Sequence, residues 1–102
     1  MIEINPDHAL AHNNLGNVYR EQSRFSEAIE EYETAARLNS SYSDPHFNLA
    51  RIYLKELKDV EKALYHFKKS MAVNPHHPRV AALRKKVENL EKMAGQPPML
   101  QD

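Results

Sequence analysis

A period of about 34 residues runs through the chain and limits it to folds that stack similar units. Asn14-Leu15-Gly16, followed by Tyr19, recurs as Asn48-Leu49-Ala50, followed by Tyr53. The offset between the two tyrosines is 53 − 19 = 34 residues. Self-similarity at a fixed period is typical of proteins in which one supersecondary unit packs on the next. The chain is therefore predicted to contain two copies of one such unit.

The second half of each copy also recurs, but with one additional residue. Glu27-Ala28-Ile29 with Tyr32 recurs as Lys62-Ala63-Leu64 with Phe67, and the offset between the central alanines is 63 − 28 = 35. One residue is therefore inserted between the two halves of the second copy. We predict that it lies in the turn at residues 55–59.

Each copy has the apolar spacing of two amphipathic helices. In the first copy, Leu15, Val18 and Tyr19 stand at positions i, i+3 and i+4, which is the period of one helix face. A second face begins at Ala28, and Ser26 is a suitable N-cap for its helix. The second copy repeats both patterns, so each copy predicts a helix–turn–helix unit.

A third pattern follows the second copy and predicts one more helix. Val80, Leu83, Val87 and Leu90 are separated by three, four and three residues, and charged residues lie between them. We expect this helix to cap the second copy, since the end of a repeat stack needs a polar outer face. Residues 94–102 have no period and contain two prolines, so we expect a disordered tail.

Both copies resemble the tetratricopeptide repeat, whose signature has Leu-Gly and Tyr on the first helix, Ala and an aromatic residue on the second, and Pro at the end. The chain departs from it in having His where Trp is usual, Ser40 where Pro is expected, and the insertion. The matching positions are His12, Leu15-Gly16, Tyr19, Ala28, Tyr32, Ala35 and Ser40 in the first copy, and His46, Leu49-Ala50, Tyr53, Ala63, Phe67, Ser70 and Pro75 in the second.

The resemblance implies an all-α fold in which antiparallel helix-turn-helix repeats stack as a right-handed superhelix (α-solenoid), with about two repeats plus a capping helix. Ile4-Asn5-Pro6 resembles the end of the second copy, Val73-Asn74-Pro75, so we expect a fragment of a longer repeat protein. The expected divisions are the end of a preceding repeat at 1–8, repeat 1 at 9–42, repeat 2 with its insertion at 43–77, the capping helix at 78–93 and the tail at 94–102.

Charge and composition argue against several classes of function. Lys+Arg and Asp+Glu both number 14, whereas a nonspecific nucleic-acid binder needs a basic excess. The chain has no cysteine, which excludes disulfides and thiolate metal sites. It also has no apolar run long enough to span a membrane. We find no catalytic motif, and the adjacent His76-His77 offers at most two of the three or four ligands of a metal site. We therefore predict a protein that is not an enzyme and holds no metal or cofactor. Its compartment stays open, with the cytoplasm favoured.

In the resembled family the first helix of each repeat lines a concave groove, which implies a scaffold that binds a protein or peptide. Cations outnumber anions at the corresponding positions, so we expect an acidic or polar peptide segment, held by Arg51 and Lys55 with Asn17 and Asn48. The alternatives are that these charges are simply solvated, or that the repeats mediate oligomerisation and the groove is only a spacer. We also expect self-association through the exposed N-terminal repeat face around His12 and Tyr19. We call the candidate residues the predicted groove: Asn13, Asn17, Arg20, Phe47, Asn48, Arg51, Lys55 and Arg79.

The family's best-known groove, a clamp for a C-terminal carboxylate, is matched only in part. Asn17 and Asn48 occupy matching positions, and Arg79 is a loose third match. Asn13 stands where the clamp has Lys, and Leu83 stands where it has Arg. The resemblance therefore favours a binding mode other than this clamp.

Overall fold

The computed structural model describes residues 6–94, with side chains for residues 8–93. The regular secondary structure of the described residues consists of five α-helices: α1 (Pro6–Glu21), α2 (Phe25–Leu38), α3 (Asp44–Lys55), α4 (Val60–Val73) and α5 (Val80–Ala94). The pairs α1/α2 and α3/α4 are each joined by a short turn, which makes their members antiparallel neighbours. The predicted all-α helical-repeat fold is confirmed.

Within residues 6–94 the helices pack in the order of the chain. α1 packs on α2 and also touches α3, α2 packs on α3, α3 on α4, and α4 on α5. No other pair of these helices is in contact. A repeat that touches only its neighbours is the defining property of a solenoid.

The start of α1 differs from the sequence expectation. The helix begins at Pro6, whereas residues 6–8 were assigned to the end of a preceding repeat. Proline suits the first turn of a helix, since its backbone has no N–H to leave unpaired and its φ is already helical. The expectations for residues 1–5 and for the tail at 95–102 lie outside the described residues.

The turns inside the two helix pairs differ by one residue, which locates the insertion. Three residues (22–24) connect α1 to α2, and four (56–59) connect α3 to α4. In the first turn the backbone N–H of Arg24 donates to the carbonyl of Tyr19 at 2.8 Å, and that of Ser23 donates to Arg20 at 2.9 Å. This is a Schellman motif, with Ser23 in the left-handed conformation at φ 62°.

The second turn has a similar form but is wider. Lys58 has φ 57°, and the N–H of Asp59 reaches back to the carbonyl of Tyr53 at 2.7 Å. Asp59 then caps α4, because its carboxylate accepts from the N–H of Lys62 at 3.1 Å. The N-cap predicted for α2 was wrong: Ser26 lies inside the helix, and Arg24 occupies the N-cap position without a side-chain capping hydrogen bond. The Schellman motif places the helix start at Phe25, two residues earlier than an N-cap at Ser26 would.

The core follows the repeat positions. Tyr32 and Phe67 occupy equivalent places on α2 and α4, and both are fully buried. Small residues allow the helices to approach: an ideal Cβ added to Gly16 would lie 2.6 Å from Cε1 of Tyr32. Ala28, Ala35, Ala50 and Ala63 are also fully buried. These small residues stand at positions that recur between the two repeats, and their burial lets the helix backbones approach closely.

α5 covers the open side of α4 with its apolar stripe. All four residues of that stripe are buried: Val80, Leu83, Val87 and Leu90. An ion pair between Lys68 of α4 and Glu91 of α5 lies at the surface of the same contact. The stripe therefore packs as its spacing predicted.

At the other end of the described chain, α1 keeps apolar side chains in solvent. Leu15 is 39% exposed and Val18 is 46% exposed, whereas their counterparts in α3, Leu49 and Ile52, are each 1% exposed. The expected exposed site around His12 is therefore centred on Leu15 and Val18 instead, since His12 is half-buried.

Candidate functional site

The first helices of the two repeats are tied together by asparagine side chains of the predicted groove. The amide nitrogen of Asn48 on α3 donates to the amide oxygen of Asn13 on α1 at 3.1 Å. Asn13 is 5% exposed and Asn48 is 8% exposed. Arg20 adds a longer hydrogen bond, 3.4 Å, to the amide oxygen of Asn48. These buried amides hold α1 against α3, so their hydrogen bonds stabilise the packing of the two helices.

Asn17 is also engaged within the protein. Its side-chain oxygen accepts a hydrogen bond from the hydroxyl of Tyr32, whose ring fills the space between α1 and α2. Burial raises the pKa of Tyr32, although the nearby Arg20 and Arg51 act in the opposite direction. The three asparagines of the predicted groove, Asn13, Asn17 and Asn48, thus all have partners inside the protein.

Two arginine side chains, those of Arg51 and Arg79, lie against the aromatic ring of Phe47. The guanidinium carbon of Arg79 lies 4.3 Å from the centroid of the Phe47 ring, and that of Arg51 lies 5.5 Å from it. Such cation–π contacts fix the direction of both guanidiniums. Arg79 is further held by an ion pair with Asp44 and by a hydrogen bond from its Nε to Nδ1 of His77, at 3.2 Å.

Arg51 differs from Arg79, because no salt bridge joins it to any carboxylate of the described residues. It is half-buried. Burial lowers its pKa, and the neighbouring guanidiniums of Arg20 and Arg79 lower it further. Two further arginines, Arg20 from α1 and Arg79 from the segment before α5, thus bring positive charge close to Arg51.

A cavity of about 240 Å³ opens beside Arg51, between the α1–α2 turn and the end of α3. It brings together three residues of the predicted groove, all of them cations. The other lining residues were not predicted. Ser23 and Phe25 are positioned by the α1–α2 turn, which has no distinctive sequence, and Ile52 and Glu56 lie at the end of α3. The lining consists of Arg20, Ser23, Phe25, Arg51, Ile52, Lys55 and Glu56.

Histidines pair at equivalent positions of the two repeats. In the first, Nδ1 of His12 lies 2.7 Å from Oε1 of Glu31. In the second, 34 and 35 residues later, Nδ1 of His46 lies 3.2 Å from Nδ1 of His66, and the two rings stack. Burial, and then His46 and Lys62, lower the pKa of His66 to about 4. Burial and Lys69 lower the pKa of His46.

Two further properties bear on the site. Among residues 6–94, no three His, Cys, Asp or Glu side chains converge as metal ligands would. No helix in that part of the chain has both the length and the apolar character needed to cross a membrane.

Three family models match the chain. One, described as TPR repeat, matches residues 16–56. Two, described as Tetratricopeptide repeat, match residues 1–30 and 43–77. No curated protein matches the chain significantly. Taken together, the helix pairs, the small residues at their crossings and these three matches assign the fold. The chain belongs to the tetratricopeptide-repeat family, whose members are generally protein-interaction scaffolds.

Proposed function

We propose that the chain is a non-catalytic scaffold that binds an acidic peptide segment along the predicted groove. The observation that carries the proposal is Arg51, a half-buried guanidinium with no carboxylate partner within residues 6–94. Burial lowers its pKa, and repulsion from the neighbouring Arg20 and Arg79 lowers it further. A carboxylate of a partner would relieve this repulsion.

The surroundings of Arg51 suit an anionic ligand. Partial burial weakens the competition of water, so a charge pair formed there is stronger than one on an open surface. The Phe47 ring holds the guanidinium in place, which reduces the entropy lost on binding. Lys55, one helical turn further along α3, is exposed and adds a second cation.

The predicted groove residues divide into two roles in this proposal. Asn13, Asn48 and Arg79 already have partners inside the protein and shape the surface. Arg20, Arg51 and Lys55 supply the cations that contact the peptide. The expected interaction is therefore with acidic side chains more than with the peptide backbone.

The test is a fluorescence anisotropy titration with two labelled decapeptides, one alternating Glu and Ala and the other alternating Lys and Ala. We expect only the acidic peptide to bind, and we expect its affinity to fall as salt is raised, because the contacts are ionic. Arg51→Glu combined with Lys55→Glu should weaken binding at least ~10-fold by reversing two charges.

The matched control reverses two exposed lysines away from the groove, Lys62→Glu with Lys85→Glu. It has the same net charge as the Arg51→Glu, Lys55→Glu variant. It should bind as the unchanged protein does. Equal losses in both double variants would mean that net charge, and not the groove, attracts the peptide. Binding of both decapeptides, or of neither, would refute the proposal.

The exposed face of α1 favours a second function, self-assembly. Leu15 and Val18 stand at repeat positions whose counterparts, Leu49 and Ile52, are buried where α3 meets its neighbours. An exposed apolar patch at such a position is a surface for a second copy of the chain. In this alternative the repeats mediate oligomerisation and the groove is a spacer.

Sedimentation equilibrium distinguishes the two functions. If α1 mediates self-assembly, the protein should associate as its concentration rises, and Leu15→Gln with Val18→Gln should keep it monomeric. Leu57→Gln provides the control, since Leu57 is equally exposed but lies in the α3–α4 turn. A protein that stays monomeric at every concentration would exclude this second function.

A further inference from the structure

The cavity beside Arg51 has a charge that one carboxylate would not balance. Arg20, Arg51 and Lys55 contribute three positive charges to its lining, and Glu56 contributes the one negative charge. The difference is 3 − 1 = 2 positive charges. A phosphoryl group on a serine or threonine carries roughly −1.5 to −2 at neutral pH, whereas an Asp or Glu side chain carries −1.

The two guanidiniums reach the cavity from different helices, Arg20 from α1 and Arg51 from α3. They can therefore approach one anion from two sides. A guanidinium presents its N–H groups as a planar fork that pairs with two oxygens of a phosphate at once. Arg20 uses one of its five N–H donors on Asn48, and this bond orients the fork without exhausting it.

The size and the remaining lining of the cavity suit a single side chain of a bound peptide better than a whole small molecule. About 240 Å³ is less than the roughly 300–1,000 Å³ of pockets that hold whole small molecules. Ile52 and Phe25 provide apolar wall, which strengthens ionic contacts by excluding water. The side chain of Ser23, exposed in the turn, adds a hydroxyl donor.

We propose that this cavity binds the phosphoryl group of a phosphorylated serine or threonine within the peptide. The proposal rests on the proposed function, because the peptide is taken to lie along the predicted groove. It makes the interaction dependent on phosphorylation of the partner, with Arg20 and Arg51 as the residues that recognise the phosphoryl group and Lys55 as a supporting cation.

The test uses three acetylated peptides of Asp and Gly that differ only at a central residue, which is serine, glutamate or phosphoserine. Affinities are measured by isothermal titration calorimetry, and the amide resonances of Ser23, Arg51 and Lys55 are followed by NMR. We expect phosphoserine to bind about 10-fold more tightly than glutamate, because it adds charge and a third acceptor oxygen. These three amides should shift on binding.

Variants then assign the preference to the cavity. Arg51→Gln and, separately, Arg20→Gln should reduce the preference for phosphoserine over glutamate to less than about 2-fold, while Arg51→Lys should retain part of it, since Lys keeps the charge but lacks the planar fork. Lys85→Gln, an exposed site on α5, should leave it unchanged. Circular dichroism confirms that each variant is folded, and Arg51→Gln alone tests the site if Arg20→Gln unfolds.

Each other outcome has one meaning. If the three peptides bind equally and binding depends on Arg51, the acidic-peptide scaffold stands and the phosphoryl site is overturned. A phosphoserine preference that survives in both glutamine variants also overturns the site. Inorganic phosphate that binds as tightly as the phosphopeptide at the same amides would replace the peptide with a free anion. If no peptide binds, both proposals fail.

Discussion

Gly16 lies where α1 packs against Tyr32 of α2, and its missing side chain makes room for the Tyr32 ring. A Cβ at this position would lie 2.6 Å from Cε1 of the Tyr32 ring, and the ring is fully buried and tethered to Asn17. The ring therefore has little freedom to move away. In the second repeat the same positions hold Ala50 and Phe67, whose ring has no hydroxyl to tether it.

Gly16→Ala should destabilise the protein in spite of the better helix propensity of alanine. Overpacking of this kind costs about 1–3 kcal/mol, and the propensity gain returns less than about 1 kcal/mol. Thermal unfolding should show a lower Tm. Adding Tyr32→Phe reproduces the pair found in the second repeat and should recover part of the loss, because the untethered ring can shift. A double variant no more stable than Gly16→Ala would contradict this explanation.

Ser23 and Lys58 both adopt the left-handed conformation at the turn inside a repeat. A side chain in this conformation costs about 1–2 kcal/mol, and glycine avoids that cost but loses about 0.5–1 kcal/mol in entropy. Ser23→Gly and Lys58→Gly should therefore each raise the free energy of unfolding by roughly 0.5 kcal/mol. Gln22→Gly, at a neighbour without positive φ, should lower it, and urea titration would measure all three.

Residues that recur between repeats were predictable, while contacts between unlike positions were not. Comparing the two copies identified Ala28, Tyr32 and their counterparts as core. The bond between Asn13 and Asn48 joins positions that are not equivalent in the two repeats, so no comparison of copies reveals it. Ser23 lines the cavity in a left-handed conformation, and serine gives no sign of that conformation at a position where glycine is usual.

At the scale of helices, α5 has little to hold it except α4. Its apolar stripe was predictable from spacing alone, because a single face buried on one side is what that pattern describes. The start of α1 was less predictable, since Pro6 is compatible both with ending one helix and with beginning another. Charge at the predicted groove could be read from the sequence, but the internal ion pair of Arg79 with Asp44 could not.

Ending the chain at His77 removes α5 and should expose the apolar side of α4. Four buried side chains leave with α5, and each contributes about 1.5–3 kcal/mol when fully buried. We expect the shortened protein to aggregate or to lose more helical circular dichroism signal than α5 itself contributes. A chain that ends at Ala94 keeps all four and should behave as the 102-residue chain does. A monomeric, equally stable chain ending at His77 would show that α5 is not a cap.

Across the whole molecule, stability should depend on pH through the histidine pair of the second repeat. The pKa of His66 is about 4 in the folded protein, and an unfolded histidine titrates near pH 6.5. Between these values the unfolded chain binds a proton that the folded chain does not. Stability is therefore full above about pH 6.5 and falls as the pH decreases towards 4.

Because His66 remains partly exposed, solvent screening reduces the effect, and we expect a loss of roughly 1 kcal/mol, or about 4–8 °C in Tm. Thermal melts at pH 7 and pH 4.5 would measure it. His66→Gln removes the titrating group, so the variant should lose less stability over the same interval than the unchanged protein. Identical pH dependence in both proteins would rule out His66 as the cause.

Apart from a small contact between α1 and α3, each of the five helices contacts only its neighbours along the chain, so acid should act on them in a definite order. Protonation destabilises the packing of α3 on α4, where His46 and His66 are in contact. Because α5 packs on α4, unfolding of α4 should also destabilise α5. α1 and α2 share their own interface, which holds no part of that pair. Mild acid should therefore unfold the helices in order from the C-terminal end. Amide hydrogen exchange should accelerate in α5 and α4 while α1 and α2 remain protected.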